Sequence, residues 1–156
     1  MKASKKKGKG LPHASLTRPG NKEARYGIDP DVSLEMRPLW SIEKLDFGCK
    51  WSCLDNWLSC LCDEIIPKLK DFETMTWQQI ISASGGRRYG TNNHPIPVNE
   101  LIKEARDRLA ELRLDDYDEL FSLRLTSRKR IWGIRDGCVF RILWFDPYHA
   151  VCPVNN

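Results

Sequence analysis

Six basic side chains, Arg124, Arg128, Lys129, Arg130, Arg135 and Arg141, fall within one short stretch whose only acid is Asp136, a local charge of +5. Tyr148 and His149 follow at its end. Arginine can hold a phosphate bidentately, histidine titrates near neutrality, and tyrosine can stack on a base or donate a proton. Together they are the parts needed for cleavage of RNA by 2′-hydroxyl attack, in which a base, an acid and a cationic clamp suffice without a metal. The same charge also fits a solvated strand face balanced by Asp115, Asp116, Asp118 and Glu119 just upstream.

The elements that must position these groups are legible from periodicity. Phe121, Leu123 and Leu125 alternate with Ser122, Arg124 and Thr126, the two-residue repeat of a half-buried strand. A second strand follows from Arg130 to Ile134. Arg135-Asp136-Gly137 then supplies a turn, so that this strand and Cys138 to Phe145 form an antiparallel hairpin and the three strands a meander. Pro147 ends the last strand and leaves Tyr148 and His149 at its rim.

Upstream, the pattern is helical. Leu54, Trp57, Leu58, Leu61, Cys62 and Ile65 recur at three- and four-residue steps between Trp51 and Ile66, and Pro67 is expected to bend or end that helix. Thr76-Trp77-Gln78-Gln79 reads as a capping box flanked by Met75 and Ile80, opening a short helix that stops at Gly85-Gly86. Gly85 to Pro97 reads as an exposed loop holding Arg87, Arg88 and His94. A third helix is expected from about Pro97, with Val98, Leu101, Ile102, Ala105, Leu109 and Leu112 on one stripe. Asp29-Pro30 and Arg37-Pro38 read as extended or turn dipeptides, with order beginning near Leu39. The fold class is therefore α+β: N-terminal helices, then a helix and a C-terminal antiparallel sheet of three or more strands.

Composition bounds what this architecture can be. The chain has 156 residues, 41% of them hydrophobic and six of them Trp, enough for one packed domain. Residues 1–25 hold eight Lys/Arg against Glu23 alone, a local +7, so the overall +4 leaves −3 on the remaining 131 residues. Residues 1–30 accordingly read as a disordered basic tail, residues 31–96 as a helical region and loop, and residues 97–156 as the helix and meander. The apolar runs are too short to cross a membrane and no secretory signal is visible, so a soluble, cytoplasmic protein is expected. Six cysteines in that setting are expected to be reduced. Cys49, Cys53, Cys60 and Cys62 cluster, but their spacing in an apolar helical run favours core thiols over a zinc site.

The string Ser122-Leu123-Arg124-Leu125-Thr126-Ser127-Arg128-Lys129-Arg130-Ile131-Trp132, with Tyr148-His149 beyond it, resembles the S-x-R-I-T-x-x-x-R-L-V segment and C-terminal Tyr-His pair of YoeB toxins. The wider RelE-like mRNA interferases share part of it. The resemblance implies a RelE-like fold for the C-terminal part and a toxin-type endoribonuclease acting on ribosome-associated mRNA, restrained by an antitoxin protein. It implies no metal and no small-molecule cofactor. Arg130 would stabilise the developing phosphate charge, His149 would be the general acid, Tyr148 would orient or stack, and Arg124, Arg128, Lys129, Arg135 and Arg141 would hold RNA. For the expected carboxylate base Glu111 fits best by distance, with Asp118 and Glu119 as alternatives. A non-catalytic RNA- or protein-binding module on the same fold is the competing expectation.

Overall fold

The alternating apolar residues of the C-terminal third build the centre of the molecule. In the computed structural model, which describes residues 30–51, 57–85 and 90–153, three antiparallel strands, β5 (Glu119–Arg124), β6 (Arg130–Asp136) and β7 (Val139–Asp146), form the expected meander. It is extended on both sides. β1 (Leu39–Ser41) pairs parallel with β7, and β4 (His94–Pro97) pairs antiparallel with β5, giving a five-stranded mixed sheet in the order β1-β7-β6-β5-β4. A separate two-stranded ladder joins β2 (Ser84–Gly85) to β3 (Gly90–Thr91). The expected basic tail, apart from Pro30, lies outside the described residues, as do Cys53, Arg87 and Arg88.

The expectation of a half-buried meander is corrected: its strands are covered on both faces. On one face Leu120, Trp132, Ile134, Leu143 and Trp144 pack with Ala105 and Leu109 of α5 (Lys103–Glu111). On the other, Phe121, Leu123, Ile131, Phe140 and Phe145 pack with Phe72 of α3 (Ile66–Glu73) and with Trp77 and Ile80 of α4 (Trp77–Ser82). A bulge accommodates this. Trp132 pairs with Trp144 while Gly133 pairs with Ile142, so Leu143 is the extra residue and it joins Trp144 in the α5 cluster. Gly133 is required there, because a Cβ would stand 2.4 Å from the Arg141 carbonyl and 2.7 Å from the Phe140 ring. In the hairpin Asp136 pairs with Val139, so the central residues are Gly137 and Cys138, and only Gly137 has a positive φ, of 61°. A positive φ at the first central position is the pattern of a type II′ turn.

The N-terminal elements depart from their sequence pattern in instructive ways. A short helix, α1 (Pro30–Leu34), precedes Leu39, with proline at a position where its missing N–H is harmless. Downstream, α2 (Trp57–Cys60) runs into a π-helical turn, Leu61–Ile65, and then α3. Pro67 sits in the first turn of α3 instead of ending the helix, since the wider turn relieves the clash a proline makes one turn upstream. The extra residue also rotates the apolar stripe: Cys60 and Ile65 are buried, whereas Leu58 and Cys62 are exposed. The Thr76–Gln79 capping box forms as expected.

The helix expected from Pro97 begins later. Val98–Glu100 is a 3-10 turn, Leu101 and Ile102 are extended, and α5 starts at Lys103. Pro95 and Pro97 hold the chain extended before it, which makes an edge strand of what the sequence presents as loop. No helix of the described residues is long and apolar enough to cross a membrane.

The segment between β1 and α2 is fastened by one buried carboxylate. Asp46, 6% exposed, accepts from Arg108 Nε at 2.9 Å and Nη2 at 2.7 Å, from the Trp144 indole at 3.0 Å and from the Gly48 amide at 2.8 Å. Chiefly because of Arg108, its carboxyl is held well below the ordinary carboxylate range, against the opposing effect of burial. A depressed carboxylate stabilises the fold above its unfolded pKa and loses that contribution as pH falls towards its folded value. In urea unfolding, Asp46→Asn should therefore lower the midpoint at pH 7 and weaken the loss of stability as the pH drops below about 4. Gly133→Ala should destabilise by about 1–3 kcal/mol through overpacking, read by the same assay.

Candidate basic site at the sheet end

The registers align one row of side chains across the sheet. Arg124, last in β5, pairs with Arg130, first in β6, and Arg130 pairs with Asp146, last in β7. One row inward, His94 of β4 pairs with Ser122, Ser122 with Trp132, and Trp132 with Trp144. Because side chains alternate along a strand, and Ile96, Leu120, Trp132 and Trp144 all face α5, His94, Arg124, Arg130 and Asp146 share that face at its open end. His149 returns to the same place through the turn after β7.

Asp146 makes that turn. Its carboxylate, fully buried, accepts from the Tyr148 amide at 3.2 Å and the Ala150 amide at 2.9 Å with one oxygen. The other oxygen takes the Val151 amide at 2.9 Å and the Trp132 indole at 3.4 Å. Val151, itself buried, returns a carbonyl to the Ile102 amide at 3.0 Å and so docks the turn against the start of α5. Held this way, His149 has a φ of 58°, a left-handed conformation uncommon outside glycine. The arrangement satisfies a buried negative charge and presents the imidazole beside the arginines.

The arginines are equally fixed. Arg124 donates from Nε to the Thr126 carbonyl at 2.9 Å and from Nη1 to the Asn92 carboxamide, while its backbone amide donates to Asn93 Oδ1 at 2.8 Å. Arg130 donates from Nη1 to the carbonyls of Thr126 and Lys129, both at 3.0 Å. Burial first, and the charge of Arg124 second, push Arg130 down from its ordinary value, though a guanidinium stays charged. His149 is pushed below 6.5 by burial first and by Arg130 next, with smaller contributions from Arg124 and His94; Asp146 acts the other way. The neutral form of His149 is therefore favoured beside these cations.

Not every residue singled out from the sequence arrives here. Arg128 lies exposed in the β5–β6 turn and Tyr148 is 76% exposed, so both border the site. Lys129 turns away and pairs with Glu64. Arg135 and Arg141 do not share the surface of Arg124 and Arg130, since they lie at the far end of the hairpin. Arg135 donates to Ser33 Oγ at 3.1 Å and lies 5.0 Å over the Trp77 ring, and Arg141 pairs with Asp136 at 2.9 Å. Strand residues alternate in direction and run about 3.3 Å apart, so nearness in sequence did not mean a shared surface.

None of the carboxylates considered as a base arrives either. Glu111 ends α5 and pairs with Arg108 at 2.6 Å, in an open cleft with Cys49, Lys50 and Trp51. Glu119 is the opposite end of β5 from Arg124, roughly 16 Å along the strand, and Asp118 adjoins it. The clustered cysteines divide between the two faces, Cys49 packing against the α5 side and Cys60 within the other. The site residues missed from sequence are Asn92, Asn93 and His94, whose placement depends on β4 pairing that the prolines around Ile96 concealed, and Asp146, whose role rests on the turn after β7 folding back onto it. No family model, curated protein or solved structure matches this chain.

The geometry makes Asp146 a test of the turn. In Asp146→Asn one oxygen still accepts from Tyr148 and Ala150, but the amide end faces the Val151 amide and Trp132 indole, two donors it cannot receive. The variant should lose about 1–3 kcal/mol. Hydrogen exchange at both donors should accelerate, and the His149 titration followed by NMR should move further below 6.5 because a neighbouring negative charge is gone.

Proposed function

We propose that the sheet end binds the phosphodiester backbone of RNA and cleaves it by attack of the 2′-hydroxyl, as a toxin-type, RelE-like endoribonuclease. The single observation that carries this reading is the convergence of Arg124, Arg130 and His149, from three separate positions of the chain, on one face beside a carboxylate whose oxygens are already occupied. Asp146 therefore does not compete with phosphate for the guanidinium groups.

In this mechanism Arg130 stabilises charge developing on the phosphoryl oxygens and Arg124 with Arg128 holds the flanking backbone. Tyr148, exposed beside them, offers a ring for a base to stack on. His149, whose neutral form burial and the neighbouring arginines favour, suits the role of base that receives the 2′-hydroxyl proton, in place of the acid role the resemblance implies. The substrate would be ribosome-associated mRNA and the restraint an antitoxin protein that covers this cationic end.

The second reading, an RNA-binding module without catalysis, is favoured by one observation: both guanidinium groups already donate to turn carbonyls. A cleavage assay separates the two. With 5′-labelled mRNA on programmed bacterial ribosomes, the wild type should give new ends carrying 2′,3′-cyclic phosphate, with a rate that rises with pH as His149 loses its proton and falls again at alkaline pH as the proton donor is exhausted. Arg130→Ala and His149→Gln should each lose about 10²- to 10³-fold, and Arg128→Ala much less. Tight binding with no cleavage by the wild type selects the module.

A further inference from the structure

We propose that His94 is the general acid of this site, protonating the 5′-oxygen as it leaves; the inference rests on the ribonuclease reading. Cleavage moves two protons. The 2′-oxygen bonds to phosphorus as its proton passes to His149, and the P–O5′ bond breaks as a proton arrives on the 5′-oxygen, leaving a 2′,3′-cyclic phosphate and a 5′-hydroxyl. A base that has just accepted a proton on the attacking side does not serve the leaving side of an in-line displacement, so a second group is required.

The structure narrows the choice. The charged groups that act on His149 are Arg130 from β6, Arg124 from β5, Asp146 from β7 and His94 from β4. Arginine does not give up its proton. Asp146 has both oxygens filled by donors, and Lys129 is turned to Glu64 on the other face. His94 remains. It shares the face of Arg124 and Arg130, one row inward, and its segment is fastened to them: Asn92 receives Arg124 Nη1 and Asn93 receives the Arg124 amide while donating to the Ile80 carbonyl at 2.9 Å. His94 is among the charges whose repulsion favours the neutral form of His149, so the two imidazoles stand near enough to serve one cleavage site.

The deciding experiment compares a natural RNA linkage with one in which sulfur replaces the bridging 5′-oxygen, since a thiolate leaves without a proton. His94→Gln should cleave the oxygen linkage about 10²- to 10⁴-fold more slowly than wild type and recover towards wild-type rates on the sulfur linkage, which also shows that the variant is folded. His149→Gln should be slow on both. The alkaline limb of the wild-type pH profile should vanish in His94→Gln. Wild-type rates in His94→Gln, equal losses on both linkages, or sulfur rescue of Tyr148→Phe in its place overturn the assignment while leaving the ribonuclease reading intact. Failure of the wild type to cleave either linkage overturns that reading and this inference together.

Discussion

A carboxylate with no exposed surface closes the last strand, and the site depends on how it is satisfied. Burying an uncompensated charge is prohibitive, so Asp146 gathers three backbone amides and an indole. Each of those donors belongs to a part of the chain that must be placed for the basic end to exist. The Tyr148 and Ala150 amides bend the chain at Pro147, the Val151 amide holds a residue whose carbonyl accepts from Ile102 at the start of α5, and the Trp132 indole ties the bend to the middle of the sheet. The left-handed backbone of His149 follows from those attachments and would be costly without them.

A second buried carboxylate does the corresponding work at the other side of the same tryptophan pair. Trp132 and Trp144 face each other across β6 and β7, and their indole N–H groups go to Asp146 and Asp46 respectively. Asp46 adds a bidentate partner in Arg108, which fixes α5 against the segment leading into α2. Gly48 is part of that arrangement, because a Cβ there would stand 2.4 Å from the Arg108 guanidinium. The large apolar rings fill the interlayer space, and the two carboxylates give their polar atoms defined partners. Arg108 is consequently occupied, and Glu111 beside it belongs to this structural cluster.

Much of the framework was visible in the sequence because it depends on local patterns. The capping box at Thr76, the meander from Glu119 to Asp146, the turn at Gly137 and the apolar stripe from Val98 to Leu112 all follow from periodicity and turn chemistry. Local pattern misled where a neighbour decided the outcome. Ser122 and Arg124 alternate like a solvated strand face, yet Ser122 is buried, because α5 covers that side. His94-Pro95-Ile96-Pro97 has the composition of a loop, yet β5 offers it a partner edge and the prolines occupy an edge strand, where missing amides are tolerated.

The candidate site divides along the same line. Sequence by itself determined that Arg124, Arg130, Tyr148 and His149 lie at the ends of adjoining strands, since strand lengths and turns are local properties. Only the tertiary structure decided which charges meet. Register sent Arg135 and Arg141 to the far end, an ion pair drew Lys129 to Glu64, the Asp46–Arg108 cluster retained Glu111, and β4 pairing brought in His94. Charge has no periodicity of its own. Its position in space follows from the apolar packing and backbone pairing that carry it, and those are settled between segments distant in sequence.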